Sequence, residues 1–286
     1  MALHATTVFR IVAILSLMAA GTLAANRILV HGHRGARAVR PENTLPAFEY
    51  AIQTGVDALE LDVAVTKDNV LVVSHDPVLH APVCSGPRDG AVIRELTFQQ
   101  VLEFDCGSHK NPLFPRQEPA PGTRIPSLDE VFALASRGGF DYNVETKSFP
   151  DHPEFTPPPE EFSRMLLEAI RKRKLEKRVI VQSFDFRTLL AMKRMAPEIR
   201  LAALVENDPR DFVTIAREAQ AAIISPHYNL VTPEKVRQAH AAGLMVVPWT
   251  ANAPAQWDRL VAAGVDAIIS DDPAELIAYL KRRGLH

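Results

Sequence analysis

The chain has 286 residues, 47% of them hydrophobic, and 32 basic side chains set against 34 acidic ones give a formal charge of −2. That balance argues against a basic nucleic-acid binder and against a charge-driven disordered chain, and the length suits one large α/β domain. The single basic run, Arg171-Lys172-Arg173-Lys174, falls at the end of an expected helix, where it complements the helix dipole and solvates a surface.

The N-terminus has the pattern of a secretory leader. Arg10 supplies a positive charge, Ile11 to Ala20 form a short apolar core, and Thr22-Leu23-Ala24 offers a small-residue cleavage site. A membrane span needs roughly 20 apolar residues, so no stable span is expected once the leader is cut. No cysteine lies near the cut to carry a lipid. The expected organisation is a signal peptide over 1–25 and one domain over 26–286, exported to a periplasm or secreted. The alternative is an uncleaved N-terminal anchor.

Beyond the leader, short apolar runs alternate with helical patterns. Strands are expected at Ile28–His33, Asp57–Val63, Tyr142–Thr146, Val179–Ser183, Leu201–Val205, Ala222–Ser225, Leu244–Trp249 and Ala267–Ser270. Helices are expected at Leu45–Gln53, Leu128–Ala135, Glu160–Arg173, Phe186–Met195, Asp211–Gln220, Pro233–Ala242, Ala255–Ala262 and Ala274–Lys281. Ser127 with Glu130 forms a capping-box pattern, Thr232-Pro233 pairs a cap with an N1 proline, and Gly55, Gly243 and Gly264 mark helix ends. Eight strand–helix units point to a (β/α)8 TIM barrel. An open doubly wound sheet is the alternative, but no Gly-x-Gly-x-x-Gly turn follows the first strand.

One unit is irregular. After the second strand, Lys67-Asp68-Asn69 makes a tight turn and Val70–Ser74 runs back as a hairpin. A proline-rich insertion follows over about 77–126, with one short helix near Phe98–Phe104 and little core of its own, standing over the barrel mouth. It contains both cysteines of the chain, Cys84 and Cys106. In an exported protein they are a disulfide candidate, worth about 3 kcal/mol on the chain-entropy model; two free thiols are the alternative.

Strand alternation concentrates charge at one end of this scaffold. Residues i and i+2 share a face, so Glu60 pairs with Asp62, Asn143 with Glu145 and Lys147, and His31 with His33. A hairpin centred near Asp68 sets residue 75 across from residue 61, which lifts His75 to the height of Glu60 and Asp62. Three carboxylates in one site repel one another unless a cation joins them, and an all-oxygen donor set suits a hard divalent ion, Ca²⁺ or Mg²⁺.

Plainer roles compete. Glu60 and Asp62 would also fit ion pairs with Arg34 and Lys147, His33 a core histidine, and His75-Asp76-Pro77 a strand-ending turn. Asn43-Thr44 and Asp271-Asp272-Pro273 read as helix caps, and Glu42 either steadies Arg34 or sits near the metal. Phe184, after Gln182-Ser183, and Trp249, before Thr250-Ala251-Asn252, are either pocket walls or core. Glu206 is a candidate lining residue. His4, His80, His109, His152, His227 and His240 fit no cluster.

The order His33-Arg34-Gly35, Pro41-Glu42-Asn43-Thr44, Glu60-Leu61-Asp62, His75-Asp76, with Asn143-Val144-Glu145-Thr146-Lys147 later, resembles the glycerophosphodiester phosphodiesterase family. The resemblance extends to Gln182-Ser183-Phe184, Trp249-Thr250-Ala251-Asn252 and the closing stretch from Asp266 to Pro273. It implies a (β/α)8 barrel with a small insertion. His33 and His75 would then be general acid and base, Glu60, Asp62 and Glu145 the metal ligands, Arg34 and Lys147 the grip on phosphate, and Phe184 and Trp249 further substrate contacts. The implied reaction is metal-dependent hydrolysis of small-molecule glycerophosphodiesters to sn-glycerol 3-phosphate and an alcohol. The family's usual Leu-x-x-x-x-Thr-Arg context after His-Asp is replaced by Leu79-His80-Ala81-Pro82-Val83-Cys84-Ser85. Alternatives on the same barrel are a phospholipase D-like or phosphoinositide-type enzyme, for which Phe98, Phe104, Leu113 and Phe114 would make an apolar rim, and a non-catalytic binder of phosphorylated ligands.

Overall fold

The computed structural model describes residues 27–286, so the expected leader lies outside the described residues. Eight parallel strands form the barrel: β1 (Leu29–Gly32), β2 (Ala58–Val65), β6 (Asp141–Thr146), β7 (Val179–Ser183), β8 (Arg200–Val205), β9 (Ile223–Pro226), β10 (Met245–Val246) and β11 (Ala267–Ser270). β11 pairs back with β1, and hydrogen bonds from Asp266 N to Val246 O (3.1 Å) and Ile269 N to Pro248 O (3.0 Å) join it to the β10 side. The outer layer comprises α1 (Leu45–Thr54), α3 (Leu128–Ala133), α4 (Pro159–Lys172), α5 (Phe186–Met195), α6 (Phe212–Glu218), α7 (Pro233–Ala241), α8 (Pro254–Ala263) and α9 (Pro273–Lys281). Strand β10 is shorter than the expected Leu244–Trp249 because Pro248 has no N–H to give to a ladder.

Alternation decides what goes where. Leu59, Leu61, Val63, Val144, Val179 and Val181 face outward and join the large core under the helices. Ile180, Ala202, Ile223, Val247, Ala267 and Ile269 form a separate apolar layer. Glu60, Asp62, Asn143, Glu145 and Gln182 are buried too. Helix ends follow the sequence signals. The Ser127–Glu130 capping box forms, Thr232 Oγ1 accepts from Lys235 N, and Gly55 and Gly264 close α1 and α8 in the left-handed region. Gly35 is required by close approach: with φ +82°, a Cβ there would sit 2.7 Å from the Ala47 carbonyl carbon of α1.

The hairpin forms in the expected register. β3 (Leu71–Val73) runs antiparallel to β2 with Val63 opposite Val73, and Ser74 N donates to Asp62 O at 3.0 Å. The insertion adds β4 (Val78–Leu79), β5 (Ala91–Val92) and the one-turn α2 (Phe98–Val101). It does have a core, contrary to expectation. Leu79, Ile93, Leu96, Val101, Phe104 and Ile125 are buried together with the disulfide Cys84–Cys106, against Ala64 and Val72 of the hairpin. Phe104 is thus 1% exposed and Phe98 packs against the same cluster, so neither contributes to an exposed apolar rim. Leu113 is exposed, and Phe114 lies under the Arg37 guanidinium at 4.5 Å.

Candidate active site

The acidic centre follows from strand register. In the β2–β6 ladder Asp62 lies opposite Glu145, and in β6–β7 Glu145 lies opposite Gln182. One carboxylate oxygen from each of Glu60, Asp62 and Glu145 falls within 4.8 Å of the others. Each acid is tethered. Arg34 N donates to Glu60 Oε2 (2.8 Å) and Gln182 Nε2 to Glu60 Oε1 (2.8 Å). Asn43 Nδ2 donates to Asp62 Oδ2 (2.9 Å), and Lys147 Nζ to Glu145 Oε1 (2.8 Å).

Electrostatics separates the three. Burial, together with the neighbouring Asp62 and Glu145 charges, pushes the Glu60 carboxyl well above its ordinary range. Burial also raises Glu145, against the pull of Lys147. Asp62 is equally buried, but His75, Arg34 and Lys147 outweigh that and hold it below its ordinary range. Three buried oxygen donors, two of them resisting ionisation on their own, fit a hard divalent cation that would neutralise them together.

Two histidines flank this centre, each backed by a carboxylate. His33 Nδ1 donates to Asp271 Oδ1 at 2.5 Å, with its Nε2 3.9 Å from Glu60 Oε2. His75 Nδ1 donates to Asp76 Oδ1 at 2.7 Å. A carboxylate on Nδ1 fixes the tautomer and leaves Nε2 to exchange protons. Burial depresses the His33 pKa despite Asp271, which favours the neutral imidazole and leaves Nε2 as its free acceptor.

Arg34 donates to Glu42 Oε1 (2.6 Å) and approaches Asp62 (3.3 Å), which settles Glu42 as the residue that steadies Arg34. Lys147 also lies 3.9 Å from Asp62, so the ion pairs expected as a plainer role coexist with the acidic cluster. A cavity of about 180 Å³ opens over these groups, lined by His33, Arg34, His75, Glu145, Phe184 and Trp249 among others. Phe184 and Trp249 are therefore walls, with ring centroids 5.5 Å apart and edge to face.

Several residues have roles the sequence did not disclose. Asn43 holds Asp62 rather than capping α1, and Thr44 makes no capping bond, its hydroxyl donating instead to Pro41 O. Asp272 caps α9, whereas Asp271 serves His33 and is itself held by Asn252 Nδ2 at 2.7 Å. The signal for Asp271 was its place just past β11, at the C-terminal strand ends where barrel sites lie. Arg37 had no such signal. It lines the cavity, 3.4 Å from Glu42 and 3.7 Å from Asp271, and its buried Nε makes no hydrogen bond.

The family model for glycerophosphoryl diester phosphodiesterases matches residues 33–275. The chain belongs to that family. Membership makes it an enzyme, a phosphodiesterase. It is 33% identical over 262 residues to the glycerophosphodiester phosphodiesterase of Caldanaerobacter subterraneus subsp. tengcongensis, covering 90% of this chain and all of that one. Among solved structures it resembles a Silicibacter pomeroyi protein assigned to the same family (TM-score 0.85, 30% identity, 91% and 95% covered). It also resembles an Oleispira antarctica phosphodiesterase in complex with the product sn-glycerol-3-phosphate (TM-score 0.76, 25% identity, 89% and 97% covered).

Below the site, His31 is 3% exposed and accepts at Nδ1 from Asn143 Nδ2 at 3.4 Å. Burial depresses its pKa from 6.5 to about 4, partly offset by Asp57. The unfolded chain therefore binds a proton that the native state refuses. Stability is expected to fall by about 3 kcal/mol as pH drops from the unfolded value through the folded one. Denaturant unfolding of wild type and His31→Gln across that window reads the effect. The variant should show a shallower acid limb, and parallel profiles would remove His31 as the cause.

Proposed function

We propose that this protein hydrolyses glycerophosphodiesters to sn-glycerol 3-phosphate and an alcohol, with a divalent cation and two-histidine acid–base catalysis. The supporting observation is the convergence of Glu60, Asp62 and Glu145 between two carboxylate-backed imidazoles. When bound, a hard ion, Ca²⁺ or Mg²⁺, supplies Lewis-acid stabilisation of the phosphoryl oxygens. Arg34 and Lys147 add fixed positive charge where the transition state gathers negative charge. His33, neutral and held by Asp271, takes the proton of the attacking oxygen at Nε2, and His75 returns one to the departing alkoxide. A non-catalytic binder would have no use for two imidazoles prepared in this way.

The test is the purified protein on glycerophosphocholine with and without chelator. Activity should vanish in excess chelator and return with Mg²⁺ or Ca²⁺; full activity in chelator would sink the metal assignment. We also propose export through the N-terminal leader, which the first residue of the mature extracytoplasmic protein tests. A chain retaining residues 1–25 in the cytoplasm would refute it.

A further inference from the structure

We propose that Arg37 is a positioning residue, the shared counter-cation of the two buried carboxylates that hold His33 and Arg34, and that the insertion sets it in place through Phe114. The proposal rests on the phosphodiesterase reading and adds a residue to that same site. Glu42 Oε1 accepts from Arg34 Nη1, and Glu42 Oε2 lies 3.4 Å from Arg37 Nε. Asp271 Oδ1 accepts from His33 Nδ1 and lies 3.7 Å from the same Arg37 nitrogen. One guanidinium therefore stands between the carboxylate that holds the imidazole and the carboxylate that holds Arg34.

Charge decides what it does there. Both carboxylates are buried, and neighbouring buried anions are costly without a cation between them. Glu42 also has Arg34. With the His33 imidazole neutral, Arg37 is the one permanent cation within ion-pair distance of Asp271 among the described residues. The buried Nε of Arg37 makes no hydrogen bond. An unpaired buried donor costs free energy, so this nitrogen contributes charge and not hydrogen bonding. Without that charge Glu42 and Asp271 would repel each other, and the side chains hydrogen-bonded to them would move with them.

The second argument is how Arg37 is held. The Phe114 ring lies 4.5 Å from its Cζ, a cation–π contact supplied by the insertion. Gln117 Nε2 donates to Arg37 O at 2.8 Å, and Glu118 N donates to Val39 O at 2.9 Å. Arg116 Nη2 donates to Asp272 Oδ2 at 2.6 Å, one residue beyond Asp271, while Ala38 N donates to Asp271 O at 3.0 Å. The stretch from Phe114 to Glu118 thus ties the loop that carries Arg37 to the start of α9.

The experiment measures kcat and KM for glycerophosphocholine with the metal-loaded full chain. Arg37→Met is expected to lower kcat about tenfold or more with KM changed by less than about threefold. Arg37→Lys, which keeps the charge, should recover most of the loss. Phe114→Ala should lower kcat about threefold in wild type and have no further effect beside Arg37→Met. A kcat in Arg37→Met within about twofold of wild type overturns the proposal. So does Arg37→Lys no better than Arg37→Met, or a Phe114 loss that persists in full beside Arg37→Met. The far-downfield proton signal of the short His33–Asp271 hydrogen bond reads the same arrangement without turnover. It should shift or vanish in Arg37→Met and stay in Arg37→Lys. Should wild type hydrolyse no glycerophosphodiester, the phosphodiesterase reading has failed and this signal decides; a signal absent from wild type, or unchanged in Arg37→Met, refutes the positioning role. Should Arg37→Met not fold, Phe114→Ala decides, and wild-type kcat with an unmoved signal refutes it.

Discussion

Replacing His75 with alanine is expected to lower kcat by about 10²-fold or more while leaving the fold intact, as loss of a general acid implies. The side chain is one-third exposed and hydrogen-bonds through Nδ1 to its neighbour Asp76, so little packing is lost. His33→Ala is expected to cost at least as much turnover but is a less clean probe. Its removal leaves Asp271, nine-tenths buried, facing Arg37 at 3.7 Å without its short hydrogen bond. If both imidazoles serve one proton-transfer cycle, the double variant should be scarcely worse than the poorer single one. Steady-state kinetics with a thermal melt checks all three. Turnover within threefold of wild type in His75→Ala would refute the acid–base assignment, and fully multiplicative losses would mean the two histidines act separately.

Glu145→Gln is expected to weaken divalent-ion affinity by about 100-fold or more, since one of three anionic donors becomes neutral. Activity at low metal should fall in parallel and recover in part at high metal. Glu145 is the cleanest of the three acids to change. Asp62 also faces Arg34 and Lys147, whereas Lys147 stays within 3.9 Å of Asp62 after Glu145 is neutralised. Asn43→Ala should act on the same quantity more weakly, by about tenfold, because Asn43 only orients Asp62. Calorimetric titration reads affinity directly, and the rise of Tm with added metal reads it independently of turnover. Unchanged affinity in Glu145→Gln would place the ion elsewhere.

The parts of this site that rest on a local period were legible in the sequence. Alternation put Glu60 with Asp62 and Glu145 with Lys147, and hairpin arithmetic put residue 75 across from residue 61, the register that the ladder carries. Local capping chemistry was equally readable at Ser127 and Thr232. What escaped depends on contacts distant in sequence. Asp271 meets His33 across 238 positions, because β11 closes on β1, and nothing near Asp271 distinguishes it from the adjacent helix cap. Asn43 looked like a cap because Asn is one by preference. At φ 57° its side chain serves Asp62 instead. The insertion looked coreless because its apolar residues follow no period; the hairpin they pack against is what gathers them.

That arrangement divides the molecule's cohesion unevenly. Ala64 and Val72, on the strands leading to His75, are buried with the insertion's apolar residues and its disulfide and not with the large core beneath the helices. The hairpin that presents His75 is thus shared, with Ala64 and Val72 packed on the insertion and Val63, Val65 and Val73 on the large core. Residues that never approach the substrate, far out in a proline-rich loop, therefore share in holding the strand that leads to His75.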